Sequence, residues 1–97
     1  MIVHIVMFNF KEENKVENIL SVKTKLEALV EKITCLGSME VGINFTKSPR
    51  SMDMSLYSTF ATQEDLNTYA THPSHLEVVA FIKEVTVESK VVDYILE

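Results

Sequence analysis

The stretch from Ile2 to Phe10 limits the possible folds more than any other part of the chain. It is β-branched and aromatic, contains no breaker, and carries apolar residues on both alternating sets, Val3-Ile5-Met7 and Val6-Phe8-Phe10. Side chains of a strand alternate between two faces, so a strand of this kind has to be covered on both. The same apolar start could be read as a leader peptide. It has no basic segment in front and no small-residue cleavage site, and His4 and Asn9 interrupt it, so it reads as a first strand.

From Val16 to Ile33, the residues Val16, Ile19, Leu20, Leu26, Leu29, Val30 and Ile33 recur at helical spacing and predict the longest helix, packed on one face. Gly37 fits a helix-terminating position, where a left-handed backbone angle costs glycine nothing. Met39, Val41, Ile43 and Phe45 then alternate with Glu40, Gly42 and Asn44, the pattern of a strand with one apolar face. The turn-rich run from Lys47 to Asp53 leads to a third strand, Met54 to Ala61.

Thr62 is a natural N-cap for a helix whose inward residues are Leu66, Tyr69 and Ala70, with Gln63, Glu64 and Asp65 in its first turn. Pro73 breaks that helix, because the residue before a proline is pushed out of helical geometry; His72 is therefore expected to be extended. A new helix is expected near Ser74, where Ser74 and Glu77 fit a capping box, and Leu76, Val79, Ala80 and Ile82 or Lys83 continue it. Val87 to Leu96 supplies the last strand.

The order β-α-β-β-α-β is the ferredoxin-like arrangement, an α+β fold with a four-stranded antiparallel sheet and helices on one side only, formed as one domain over residues 1–97. That leaves the second face of an apolar sheet uncovered, and a chain of 97 residues that is 46% hydrophobic has little volume in which to hide it. A second copy of the chain is the expected lid, giving a homodimer in which two sheets close into an α+β barrel.

Charge narrows the choice of partners. Nine Lys and Arg stand singly against 14 Asp and Glu, for a net charge of -5, so the electrostatic footprint of a nucleic-acid binder is missing. No stretch approaches the ~18 apolar residues of a membrane span, and no membrane partner is expected. Cys35 is the sole cysteine, which fits a reduced, cytoplasmic setting and a small helix-end hydrophobe better than a nucleophile. No glycine-rich phosphate loop exists. His72 and His75 are three apart, but the intervening Pro73 keeps them off one helical face and no third ligand follows by spacing, so neither a metal nor another cofactor is expected.

The opening Ile2-Val3-His4-Ile5-Val6-Met7-Phe8-Asn9-Phe10-Lys11, the strand Met39-Glu40-Val41-Gly42, the run Tyr69-Ala70-Thr71-His72-Pro73-Ser74-His75 and the ending Val91-Val92-Asp93-Tyr94 resemble the stress-responsive A/B barrel domain family of the dimeric α+β barrel superfamily. The resemblance runs nearly end to end. It implies a homodimer with a small apolar metabolite pocket between sheet and helices, without implying one activity. A family enzyme, olivetolic acid cyclase, closes a linear polyketide into a ring. Carried over by position, its general base falls on His75, its assisting tyrosine on Tyr69, and its first-strand histidine on His4. Where the first helix of the cyclase offers aromatic residues, this chain has Ile19, Leu20, Val22 and Leu26, which speaks against a polyketide substrate.

The chemistry suits those residue types. Ring closure through an enolate needs a base beside a carbonyl and a donor for the developing oxyanion, roles that a neutral imidazole and a phenol can fill. The sequence leaves three functions open: a stress-associated domain that binds a small apolar metabolite, a cofactor-independent lyase or cyclase on a keto, polyketide-like substrate with His75 as base and Tyr69 as donor, and, by fold analogy alone, a cofactorless oxygenase of the wider barrel superfamily. His4, His72 and Asp93 are the expected ligand-binding residues, with Asp93 a candidate to hold one of the imidazoles. Structural roles stand beside these: His75 as a polar residue shaping the turn, Tyr69 as a core aromatic whose hydroxyl reaches the surface, and His4 as a sheet-lining hydrogen-bonder.

Overall fold

A computed structural model describes all 97 residues. Its elements are β1 (Ile2–Phe10), α1 (Lys15–Glu27), α2 (Leu29–Lys32), β2 (Ser38–Ile43), β3 (Met54–Phe60), α3 (Gln63–Thr71), α4 (Pro73–Val85) and β4 (Thr86–Ile95). The strands form one four-stranded sheet in the order β2-β3-β1-β4, antiparallel throughout, so the two most apolar strands are neighbours and β4 lies on an edge. This is the βαββαβ ferredoxin-like fold that the element order predicts.

Register decides what each face carries. Ile2, His4, Val6 and Phe8 of β1 stand opposite Phe60, Ser58, Leu56 and Met54 of β3, and all of these point toward the helices. The core forms there, from Phe8, Phe10, Leu56 and Phe60 of the sheet against Val22, Leu26, Leu29, Tyr69, Val78 and Ile82 of the helices. The opposite face carries Val3, Ile5, Met7, Tyr57, Val92 and Tyr94; Val3 is buried among its neighbours, but no helix lies over this face and toward β4 it is open, Val92 being 52% and Tyr94 41% exposed.

Several sequence expectations shift in detail. The long helix expected from Val16 to Ile33 is two helices meeting at Ala28, and Val16, Leu20 and Val30 are exposed on its flank. One narrow stripe, Ile19, Val22 and Leu26, suffices to fill the space over the sheet. Gly37 does not take a left-handed angle; no glycine does. Its lack of a side chain serves close approach instead, since its N–H donates to Thr59 O at 2.8 Å and a Cβ there would lie 2.9 Å from that same oxygen. The left-handed residue is Asn14, the N-cap of α1, with φ 52°, a conformation asparagine tolerates better than most residues.

β2 ends at Ile43, two residues before Phe45, whose side chain is fully in solvent. Thr62 caps α3 as expected, its hydroxyl accepting from the Asp65 N–H at 3.1 Å, but Ala70 faces outward. Helix α4 begins at Pro73, next to Ser74 as expected, but its buried residues are Val78, Ile82 and Val85, with Leu76 left exposed.

Candidate active-site cavity

Pro73 builds the site by what it interrupts. A helix ends with carbonyls that have no partner in the next turn, and α3 stops at Thr71 because His72, preceding the proline, is extended. One turn into α4, the His75 ring reaches back, and its Nδ1–H donates to the Ala70 carbonyl at 3.0 Å. A carbonyl can only accept, so this bond places the proton on Nδ1 and leaves the lone pair of the neutral ring on Nε2. Burial lowers the pKa of His75 below the ordinary imidazole value; the Ala70 carbonyl opposes this, while His4 and His72 reinforce it.

The strand register sets the second imidazole. His4 and Asp93 are partners across the β1–β4 ladder, on the helix side of the sheet, and His4 Nδ1 is hydrogen-bonded to the Asp93 carboxylate. The carboxylate is again an acceptor only, so His4 too keeps Nε2 free. On its other flank His4 stands opposite Ser58, a completely buried small residue whose hydroxyl donates to the His4 carbonyl at 3.1 Å.

Tyr69 packs against both imidazoles, with ring centroids 4.3 Å from His75 and 6.4 Å from His4, and against Phe60 at 5.1 Å. Its hydroxyl does not reach the surface. It is buried with no hydrogen-bond partner, and burial pushes its pKa far upward, so it stays a neutral phenol at any physiological pH.

His4 and His75 both line a half-enclosed cavity of about 270 Å³ between α4 and the β1–β4 half of the sheet. Val6, Phe8, Leu26, Leu56, Val79, Ile82 and Val91 make its walls apolar, and Lys83, Thr86 and Ser89 complete the lining. The space exists because β4 extends beyond the helical layer: Val91 points to the helix side yet is 62% exposed. Of the residues singled out from sequence, His4 and His75 meet in this cavity, Tyr69 packs directly behind them, and Asp93 holds His4. His72 is not brought in. Its Nδ1 accepts from the Ser74 N–H at 3.1 Å and caps α4, displacing the expected Ser74–Glu77 capping box because the extended His72 occupies the N-cap position itself.

Sequence reasoning missed Lys83 as a cavity residue, although the spacing was there to read: His75, Val79, Ile82 and Lys83 stand at i, i+4, i+7 and i+8, one face of a helix. It also missed Ser58, whose only sequence signal is a small polar residue at an inward position of an otherwise apolar strand. No group of three or more His, Cys, Asp and Glu side chains could hold a metal ion, and no helix is long and apolar enough to cross a membrane.

A one-sided helical layer on an antiparallel sheet, with histidines facing the gap between them, defines an α+β domain of the ferredoxin-like class. The chain belongs to the stress responsive A/B barrel domain family, whose model matches residues 2–96. Among solved structures, a dimeric protein of unknown function with a ferredoxin-like fold from Bacteroides fragilis is 33% identical over 96% of this chain and 93% of its own, with a TM-score of 0.86. A protein from Arabidopsis thaliana is 21% identical over 100% and 96%, with a TM-score of 0.89. A hydroxynitrile lyase from Passiflora edulis is 17% identical over 99% and 93%, with a TM-score of 0.88; at these two identities the likeness is one of fold. No curated protein matches the chain in sequence.

Proposed function

We propose that the chain acts as a homodimer whose subunits each bind a small, largely apolar carbonyl compound, and that His75 performs cofactor-independent proton transfer on it. The observation that carries this reading is the pairing of two imidazoles in one apolar cavity, each with Nδ1 engaged and Nε2 free. Their surroundings differ. His75 donates to a backbone carbonyl and burial lowers its pKa, which suits a base; His4 is fixed through Nδ1 by the Asp93 carboxylate.

In this mechanism His75 Nε2 takes the proton from the carbon beside a substrate carbonyl. The electron pair moves to the carbonyl oxygen, on the side of the cavity lined by His4, and the imidazolium formed on His75 stabilises the enolate at close range, an interaction that apolar walls strengthen. The enolate carbon then either regains a proton from His75 or attacks a second carbonyl of the same molecule. In the latter case a carbon–carbon bond forms, and the resulting alkoxide takes the proton held on His75. Tyr69 sets the ring positions of both histidines from behind, so its part is positioning. The dimer reading is supported by the sheet face without helices, where Met7, Val92 and Tyr94 are exposed, and by the dimeric description of the Bacteroides fragilis protein.

Hydrogen–deuterium exchange at the α-carbon of simple methyl ketones in heavy water tests the chemistry without knowledge of the natural substrate. Wild type is expected to accelerate exchange by about 10²-fold or more, the usual contribution of a positioned base, and His75→Ala to lose that acceleration. Equal exchange in the two proteins removes His75 from the mechanism. A second reading, binding without turnover, draws on the predominance of apolar walls; it predicts ligand-induced stabilisation that is equal in wild type and His75→Ala, with no exchange in either.

A further inference from the structure

The cavity is a slot with two chemically distinct ends. His75 and Lys83 lie eight residues apart on α4, a rise of ~12 Å along a helix. On the facing strand Ser89 lies in the lining, and Asp93, outside the lining but holding His4 at the other end, is four residues on, ~13 Å along a strand. Helix and strand therefore give the same length, with imidazoles at one end and Lys83, Ser89 and Thr86 at the other. Val6, Leu56, Val79, Ile82 and Val91 lie along the path between them.

Lys83 is the only permanently charged side chain in the lining. It takes part in none of the ion pairs of the molecule, and no carboxylate lines the slot. In a chain of net charge -5, a free cation at the mouth of an apolar slot is a local reversal of sign. Ser89 adds a hydroxyl with no partner inside the protein, whereas the Thr86 hydroxyl already donates to Ile82 O at 2.8 Å.

We infer that the slot takes an elongated molecule with an anionic terminus, most simply the carboxylate of a medium-chain keto acid, held by Lys83 with Ser89 as a second donor, while its carbonyl lies at the imidazole end. This rests on the proposed reading of the cavity and adds its substrate class. The apolar middle accounts for the ligand's chain, and the lone cation for its polarity: a neutral chain would gain nothing from Lys83, and a dianion would meet no second cation. Lys83 is thus a specificity residue rather than a catalytic one, fixing which end of the ligand enters first.

Binding of octanoate and of 1-octanol, measured by calorimetry on the dimeric protein, tests the inference in wild type, Lys83→Met, Lys83→Arg and, as a control for net charge, Lys32→Met. Octanoate is expected to bind wild type and Lys32→Met alike, about five- to tenfold more weakly to Lys83→Met, and with most of the affinity restored in Lys83→Arg, since a charge-assisted hydrogen bond is lost and regained. Octanol is expected to bind all four equally. If octanoate and octanol bind wild type with equal affinity and Lys83→Met changes neither, the anionic end is overturned while the apolar pocket stands. If neither probe binds wild type, the pocket reading itself fails and the inference with it.

Discussion

β3 and β4 flank the same strand, β1, both through antiparallel ladders, yet they live in different environments. In β3 the inward residues Met54, Leu56, Ser58 and Phe60 are all buried, in strict alternation with outward residues. In β4 every residue after Thr86 is exposed, although Val87, Val91, Val92, Tyr94 and Ile95 give it a comparable apolar content. The difference lies in what the helices cover. They bury the inward residues of β1, β2 and β3, whereas the helix-side residues of β4 stay exposed, so its apolar side chains are left for surfaces outside the core: Val91 for the cavity, Val92 and Tyr94 for the uncovered sheet face. One strand holds the fold together; the other is available for function and assembly.

Truncation should separate the two strands most sharply. Phe60→Ala, in the core beside His4 and Tyr69, is expected to cost about 3–5 kcal/mol in urea unfolding, against at most about 0.5 kcal/mol for Val91→Ala on β4. Equal losses would mean that β4 is as much a part of the core as β3.

Assembly gives the next largest effect. Val92→Glu, a charge on the outward face of β4, is expected to weaken self-association about a hundredfold in sedimentation while leaving the subunit folded; Leu76→Glu, on an exposed helical surface, is expected to leave it unchanged. Wild type that sediments as a monomer at micromolar concentration would break the comparison outright, because β4 would then be exposed for no reason.

Tyr69 sharpens the β3 side. Its hydroxyl is buried without a partner, so Tyr69→Phe is expected to stabilise the free protein by about 1 kcal/mol, read as a higher urea midpoint at constant m-value. Destabilisation would show that the hydroxyl has a bonding partner in solution.

The smallest effect is a pH slope. The folded-state pKa of His75 lies below its unfolded value of about 6.5, so below that pH the unfolded chain binds more protons than the folded one. The contribution of His75 to stability is therefore complete above about pH 6.5 and declines as pH falls toward and past the lowered pKa. His75→Gln is expected to flatten this decline between pH 7.5 and 5, and ketone exchange by wild type to fall on the same acid side. A decline as steep in the variant would place its origin elsewhere.

Much of the architecture was legible because it depends on local pattern. The two-sided apolar alternation of Ile2–Phe10, the break that Pro73 imposes, and the cap at Thr62 act within a few residues of where they are read. The site was legible in part. His75 sits where the helix break puts it, but the pairing of His4 with Asp93 joins residues 89 positions apart and depends on strand register. The extended backbone of His72 was legible from Pro73, but not that this places it at the N-cap of α4 rather than in the cavity.

The sequence alone determined the order of elements, the one-sided helical layer and the sheet too apolar to stay bare, since hydrophobic periodicity and backbone-restricting residues act locally. Only the tertiary structure decided that β4 reaches beyond the helices, that Lys83 shares a slot with two imidazoles, and that Gly37 is demanded by a neighbouring carbonyl. Those outcomes follow from how far one layer extends over another and which residues face across a ladder, and both are set by packing between segments distant in the chain.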